Sequence, residues 1–248
     1  MNKLKWITNV LACLMMALAA LGALCTAVTQ KAFDAQFYSG MSRQAVMDTL
    51  GVTDAMDISA QTNAYIGLTD EEQTAFAQEI VSFMKGDAQT LPDVLNDGER
   101  QHMLDVRALI RLAQQVGRIC MTLSAGLAVV IAWTGAQEKR RCALPGLIAG
   151  ALLAAACAGV CMLMMNAQGF AAMFVGLHEM LFTNDLWLMN PQTDILIRMM
   201  PQLLFERAAA DVAAQALRTI AVVWGMLLAV YFLVGGMIRR NLTQRDKQ

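Results

Sequence analysis

Apolar positions follow two patterns along this chain. Four runs carry no charged residue over lengths near or beyond a bilayer crossing: Trp6 to Val28, Ile119 to Ala136, Cys142 to Leu177 and Thr219 to Ile238. A crossing helix needs about 20 apolar residues. The third run is too long for one span, so it is read as a span over 144–165, with Asn166 to Leu177 leaving into the interface. Elsewhere apolar residues recur at helical spacing among polar ones. The pattern predicts an all-α membrane protein, a four-helix transmembrane bundle with a mostly helical extracellular cap. The expected order is helix 1 with its N-terminus (1–28), cap (29–118), helix 2 (119–136), short loop (137–143), helix 3 (144–165), second outer segment (166–218), helix 4 (219–238) and tail (239–248).

Within the cap, Lys31 to Leu50 reads as an amphipathic helical region with Phe33, Phe37, Val46 and Leu50 near one face, ended by Gly51. Asn63 to Leu68 reads as a short extended piece. Thr69-Asp70-Glu71-Glu72 is a capping box. The helix it opens repeats apolar residues at Phe76, Ile80, Phe83 and Met84 and stops at Gly86. Leu91-Pro92-Asp93 turns the chain, and Asp97 is expected to cap the helix leading into span two. Little in this segment marks a separate core; its apolar surface is expected to pack on the membrane face.

Charge placement orients the spans. Lys3 and Lys5, then Lys139, Arg140 and Arg141, then Arg239, Arg240, Arg245 and Lys247 fall on one side of a four-span path, which the positive-inside rule makes cytoplasmic for both termini. The apolar run after Lys5 exceeds the 7–15 residues usual in a signal peptide, so it is expected to stay as a span. The outer segment is acidic, with Asp54, Asp57, Asp70, Glu71, Glu72, Asp93, Asp97 and Glu99. A net charge of -1 gives no footprint for nucleic acid. The six cysteines lie in or beside the spans (Cys13, Cys25, Cys120, Cys157, Cys161) or in the short loop (Cys142), so no disulfide is expected in the outer segments. Small residues such as Ala17, Ala19, Ala20, Gly22 and Ala23 in the first span, and Gly150, Ala154, Ala155, Ala158 and Gly159 in the third, permit close helix packing. Met162, Met164 and Met165 read as adaptable packing.

Both histidines, His102 and His178, fall on the outer side. His102 and Asp105 stand at helical i,i+3 spacing, so the carboxylate can orient the imidazole, although a plain surface pair has the same spacing. Arg107, Arg111 and Arg118 form a stripe that can snorkel to lipid phosphates or hold a headgroup. A helix running unbroken to Ile119 sets His102 about 25 Å above that residue; either the membrane begins near Leu109 or the helix bends around Gln114 to Gly117. His178 sits in FVGLHEMLFTNDLWLMNPQTDILIRMMP, Phe174 to Pro201. That stretch also holds Phe182, Asn184, Asp185, Trp187, Pro191 and Asp194. It reads either as an interfacial re-entry helix with aromatics at headgroup level or as part of a site.

Taken with Glu99, Met103 and Val106 in the first segment and Ile197 and Pro201 in the second, these two motifs resemble the four-span bacterial membrane proteins of the lipoprotein intramolecular transacylase (Lit) family. Asn190 departs from the pattern, which leads one to expect an acidic residue before Pro191. The resemblance implies a bacterial cell-membrane enzyme, probed on its outer face by a diacylated lipoprotein substrate and membrane lipid. It implies movement of the sn-2 acyl chain to the α-amine of the lipoprotein's N-terminal cysteine, giving the lyso form. It further implies catalytic His102 and His178, with Asp105, Arg107, Phe174, Phe182, Asn184, Asp185, Trp187 and Asp194 orienting them or binding substrate. Neither metal nor cofactor is implied, and a monomer is expected.

The chemistry suits imidazole. An ester-to-amine shift needs a neutral amine, a stabilised oxyanion and a proton for the departing alkoxide, and an imidazole titrates near ambient pH. Both reacting groups lie in one substrate, so positioning replaces an enzyme nucleophile. His102 oriented by Asp105 is expected as base and His178 as donor, with the reverse assignment open. Competing readings are a metal-dependent membrane hydrolase using both histidines with carboxylates, and a non-enzymatic accessory or assembly protein. The absence of charges from span centres speaks against ion-coupled transport.

Overall fold

The computed structural model describes residues 3–51, 58–137 and 143–245. Asp54, Asp57, the Lys139, Arg140 and Arg141 cluster with Cys142, and Lys247 lie outside these, as do the side chains of Cys161, Met162, Met164 and Met165. Every element among the described residues is helical: α1 (Lys3–Ala32), a π-helical turn (Phe37–Met41), α2 (Ser42–Leu50), α3 (Ile58–Ile66), α4 (Asp70–Lys85), α5 (Asp97–Gln137), α6 (Leu144–Leu181), α7 (Ile195–Met199) and α8 (Gln202–Arg245).

Among the described residues three helices, Lys5–Ala32, Asp97–Trp133 and Gln202–Leu233, are long and apolar enough to cross a membrane, and Leu144–Gly159 is a shorter apolar helix. In α5 the charge-free part begins at Ile119, and the helix is not interrupted between Gln114 and Gly117. α6 changes course at Gly169, whose φ of 77° and ψ of 158° are non-helical. Only glycine takes that backbone at little cost. Gly169 therefore separates the apolar first part of α6 from the Gly169–Leu181 helix that carries His178.

The chain divides into two compact units. One comprises Met1–Thr26, Gln114–Met164 and Ala214–Gln248. Its helices meet at small residues: a Cβ on Gly150 would lie 2.7 Å from Met16 Cβ, and one on Gly146 only 2.1 Å from the Asn9 carbonyl oxygen. Polar groups here are satisfied across helices, as an apolar surround demands. The Asn9 side chain accepts from Gly146 N–H at 2.8 Å and Ser124 Oγ donates to the Met15 carbonyl at 3.0 Å.

The other unit comprises Ala27–Ala113 and Met165–Ala213. Contrary to the sequence reading, it has a core of its own: Phe37, Val46, Ile66, Phe76, Ile80, Phe83, Met84, Met103, Met199 and Leu204 are all buried in one cluster. The residues that build it come from short segments far apart in sequence, each too brief to show a core alone. The capping box at Thr69 forms as expected, with Thr69 N–H donating to Glu72 and Glu72 N–H to Thr69 Oγ1. Gly86 ends α4 with φ of 97°. Pro92 accepts from Leu95 N–H in the expected turn.

Several local expectations change. Asn63 to Ile66 is helical, the end of α3, because Thr62 and Ile66 both bury their side chains there and packing overrides the extended preference of Tyr65 and Ile66. Lys31 to Leu50 is divided by a turn after Ala32, and Leu50 is exposed. The cap of α5 is Asn96 rather than Asp97: Asn96 Oδ1 accepts from Glu99 N–H at 2.9 Å, while Glu99 Oε2 accepts from Asn96 N–H at 2.8 Å.

Candidate functional site

Glu99 anchors the start of α5. Its carboxylate is buried, and besides closing the cap it accepts from the Leu196 N–H at 2.7 Å. Asp194 supports the same junction, with Oδ1 accepting from Asn96 Nδ2 at 3.1 Å and Oδ2 from Asn190 N–H at 2.8 Å. Thr193 and Arg198 also bond to it. All of these Asp194 bonds stay within the protein, so its visible role is to fasten the 190–196 segment to the beginning of α5.

One turn beyond that anchor, His102 is buried on α5. His178 occupies the last turns of α6 and is half-buried. Their ring centroids are 6.3 Å apart with planes 25° from parallel. Phe182 touches both rings, at 5.0 Å from His102 and 5.5 Å from His178. Phe174 lies 4.1 Å and Trp187 5.1 Å from His178. Phe205 on α8 backs Phe174 at 5.3 Å; its place in this aromatic wall has no local signal in the sequence.

The two imidazoles have different surroundings. His178 Nδ1 lies 2.7 Å from the Phe174 carbonyl oxygen. A carbonyl oxygen can only accept, so Nδ1 carries the hydrogen, and in the neutral ring the lone pair is on Nε2. His102 Nδ1 is buried without a hydrogen-bond partner. Burial, and then the nearby His178, hold His102 well below the usual histidine range, at about 4, with Asp105 opposing. His102 is therefore neutral around pH 7.

The expected His102–Asp105 hydrogen bond does not form. Asp105 instead accepts from Asn184 Nδ2 at 3.0 Å and from Gln101 Nε2 at 3.3 Å. The i,i+3 spacing brings the carboxylate near enough to act on His102 through space, but its oxygens are engaged by amides. Asn184 also accepts from Leu186 N–H at 3.1 Å, so the pair fastens the loop bearing Trp187 to α5.

Of the remaining sequence candidates, Asp185 is exposed. Arg107 does not join the imidazoles. It is buried with its guanidinium 4.3 Å over the Phe83 ring, beside Arg111 near Gly86. Burial and then Arg111 lower its pKa. Arg107 thus sits at the end of α4, where helix carbonyls favour positive charge, with its Nε buried and without a hydrogen-bond partner.

The fold is that of an all-helical integral membrane protein, and its two histidines meet in an aromatic-walled site. The chain belongs to the lipoprotein intramolecular transacylase Lit family, matching the family pattern over residues 10–205. It is accordingly an acyltransferase that acts on lipoproteins, as the two histidine motifs led one to expect. Its fold is similar to that of the membrane integral lipoprotein intramolecular transacylase Lit from Bacillus cereus, with a TM-score of 0.61 at 17% identity over 100% of both chains. A histidine-to-alanine variant of that protein gives a TM-score of 0.62 at 17% identity, covering 98% of this chain and 96% of that one. No curated protein sequence matches the chain.

Proposed function

We propose that the chain moves the sn-2 acyl group of a diacylglyceryl lipoprotein onto the α-amine of the lipoprotein's N-terminal cysteine, with His178 as base and His102 as a neutral hydrogen-bond donor. The observation that carries this assignment is the Nδ1 contact of His178 with the Phe174 carbonyl, which leaves Nε2 free to accept a proton. It favours the reverse of the assignment first expected from sequence. A buried N–H without an acceptor is costlier than a buried lone pair, so the unpartnered Nδ1 of His102 puts that ring's hydrogen on Nε2.

In this reading the substrate amine attacks the ester carbonyl carbon and a C–N bond forms. His102 Nε2–H donates to the developing oxyanion, a neutral imidazole in the electrophilic role. His178 Nε2 takes the proton from the nitrogen. As the C–O bond breaks, the His178 imidazolium returns that proton to the glyceryl oxygen, so no net proton is consumed. Phe174, Phe182 and Trp187 confine the reacting centre, and Asp105 with Asn184 holds the wall in place. Asp194 acts through the α5 junction, while Arg107 and Asp185 have no step in this scheme.

The topology that goes with it has four crossings, with both termini cytoplasmic and segments 29–118 and 166–218 outside, so that lipoprotein and membrane lipid reach the site from the outer leaflet. The membrane boundary on α5 then lies nearer Leu109 than Ile119, since the helix is uninterrupted. The protein acts as a monomer. The test is mass spectrometry of a synthetic diacylated lipopeptide incubated with purified protein and a chelator. A product of unchanged mass, with fragments placing one acyl group on the cysteine nitrogen, is expected. Loss of an acyl chain, or dependence on added metal, would instead support a hydrolase.

A further inference from the structure

A cleft of about 270 Å³ opens beside the histidines, between α5 and the end of α6. Its apolar lining is Ala108, Leu109 and Leu112 from α5 with Leu181 and Phe182 at the end of α6, and its polar lining is Asp105, Thr183 and Asn184. We propose that this cleft binds the tail of the acyl chain being transferred and sets its preferred length; the inference rests on the acyl-transfer reading above.

The argument is continuity. Phe182 is at once a wall of the cleft and a neighbour of both imidazoles. A carbonyl held between those rings therefore has its own chain leaving along Phe182. Ala108, Leu109 and Leu112 follow Asp105 over seven residues of helix, about 10 Å at 1.5 Å per residue, which suits an extended hydrocarbon. The volume is at the small end for ligand pockets, about 300 Å³, enough for part of one chain and not for two. The polarity is graded along α5: Asp105, hydrogen-bonded to Asn184 beside Thr183, is the lining residue of that helix nearest His102 in sequence, and Ala108, Leu109 and Leu112 follow it away from His102. Leu112 and Leu181 are 55% and 43% exposed, a large exposure for leucines unless lipid or an acyl chain covers them.

The experiment compares wild type with Ala108→Phe and Leu112→Trp on two lipopeptide series. In the first the transferred chain runs from octanoyl to palmitoyl with the retained chain fixed; in the second the retained chain varies. Both positions are at the cleft wall and outside the imidazole pair, so folding is checked by unfolding temperature in detergent. The expected result is that the palmitoyl-to-octanoyl ratio of kcat/KM falls about tenfold or more in the first series, corresponding to a couple of excluded methylenes, and stays level in the second. An unchanged ratio in both series overturns the proposal, as does a shift seen only when the retained chain varies, or a uniform loss at every length. Absence of transfer by wild type on every lipopeptide would overturn the underlying reading and this one with it, and is distinguishable from the other outcomes.

Discussion

The Nδ1 atom of His178 and the carbonyl oxygen of Phe174 lie 2.7 Å apart, four residues from each other on one helix. That contact selects a tautomer with no carboxylate involved, a role that a triad gives to Asp. With His102 buried and neutral across the gap, the two rings are set for different tasks. Replacing His178 by Asn should lower kcat by about 100- to 10,000-fold, the usual range for a lost general base. Part of that loss should be recovered as pH is raised, beyond the rise that amine ionisation gives wild type, because hydroxide can then take the proton from the attacking nitrogen in place of His178. His102→Ala should lose about 100- to 1,000-fold, as for a missing oxyanion donor, with no recovery beyond that of wild type. Measured pH–rate profiles of the two variants against wild type check both assignments; such recovery in His102→Ala and not in His178→Asn would reverse them.

Burial of His102 has a consequence for stability. Its folded pKa, about 4, lies below the unfolded value of about 6.5. The unfolded chain therefore binds more protons between these values, and stability falls as pH drops through about 6.5 toward 4, levelling off below that. The loss from this one group amounts to about 3 kcal/mol at most, at 1.36 kcal/mol per unit. Unfolding in detergent as a function of pH should show this slope in wild type and a shallower one in His102→Gln.

The Asp105–Asn184 pair can be tested by exchange. Asn184→Asp sets two carboxylates against each other, and loosening the Trp187 loop should reduce activity about 10- to 100-fold, the range of a hydrogen bond to a charged group. Combining it with Asp105→Asn restores one amide and one carboxylate and should recover most of the loss. If the double variant is as impaired as the single one, Asp105 acts on His102 by charge and not by fastening the loop.

Glu99 carries more of the fold than its position beside the site suggests. Glu99→Ala removes the reciprocal cap and leaves the Leu196 N–H without its acceptor. A lost cap costs about 1 kcal/mol and a buried unsatisfied donor about 1–3 kcal/mol, so a total of about 2–4 kcal/mol is expected. Thermal unfolding in detergent would measure it. Asn96→Ala should cost less, since Glu99 keeps its bond to Leu196.

The sequence patterns that proved readable are those written within a few residues. Thr69 with Glu72, Gly86 after α4 and the charge-free runs each need only local geometry. Asn96 with Glu99 is a pattern of the same kind, three residues apart like Thr69 and Glu72, and it places the cap one residue before Asp97. The α3 helix was less legible, since Ile66 takes its conformation from the core it enters.

The same division holds for the site. Sequence by itself determined a helical membrane protein with two histidine motifs on amphipathic segments, because periodicity and charge bias are properties of neighbours along the chain. It also determined the family, through residues confined to those two motifs. Tertiary structure alone decided what each candidate touches. Asp105 turns to Asn184, which lies 79 positions away in sequence; Glu99 reaches Leu196 and Arg107 packs on Phe83. Helical spacing says which residues share a face, but the hydrogen-bond partner of a side chain is whatever acceptor or donor the packing of distant segments brings within 3 Å of it.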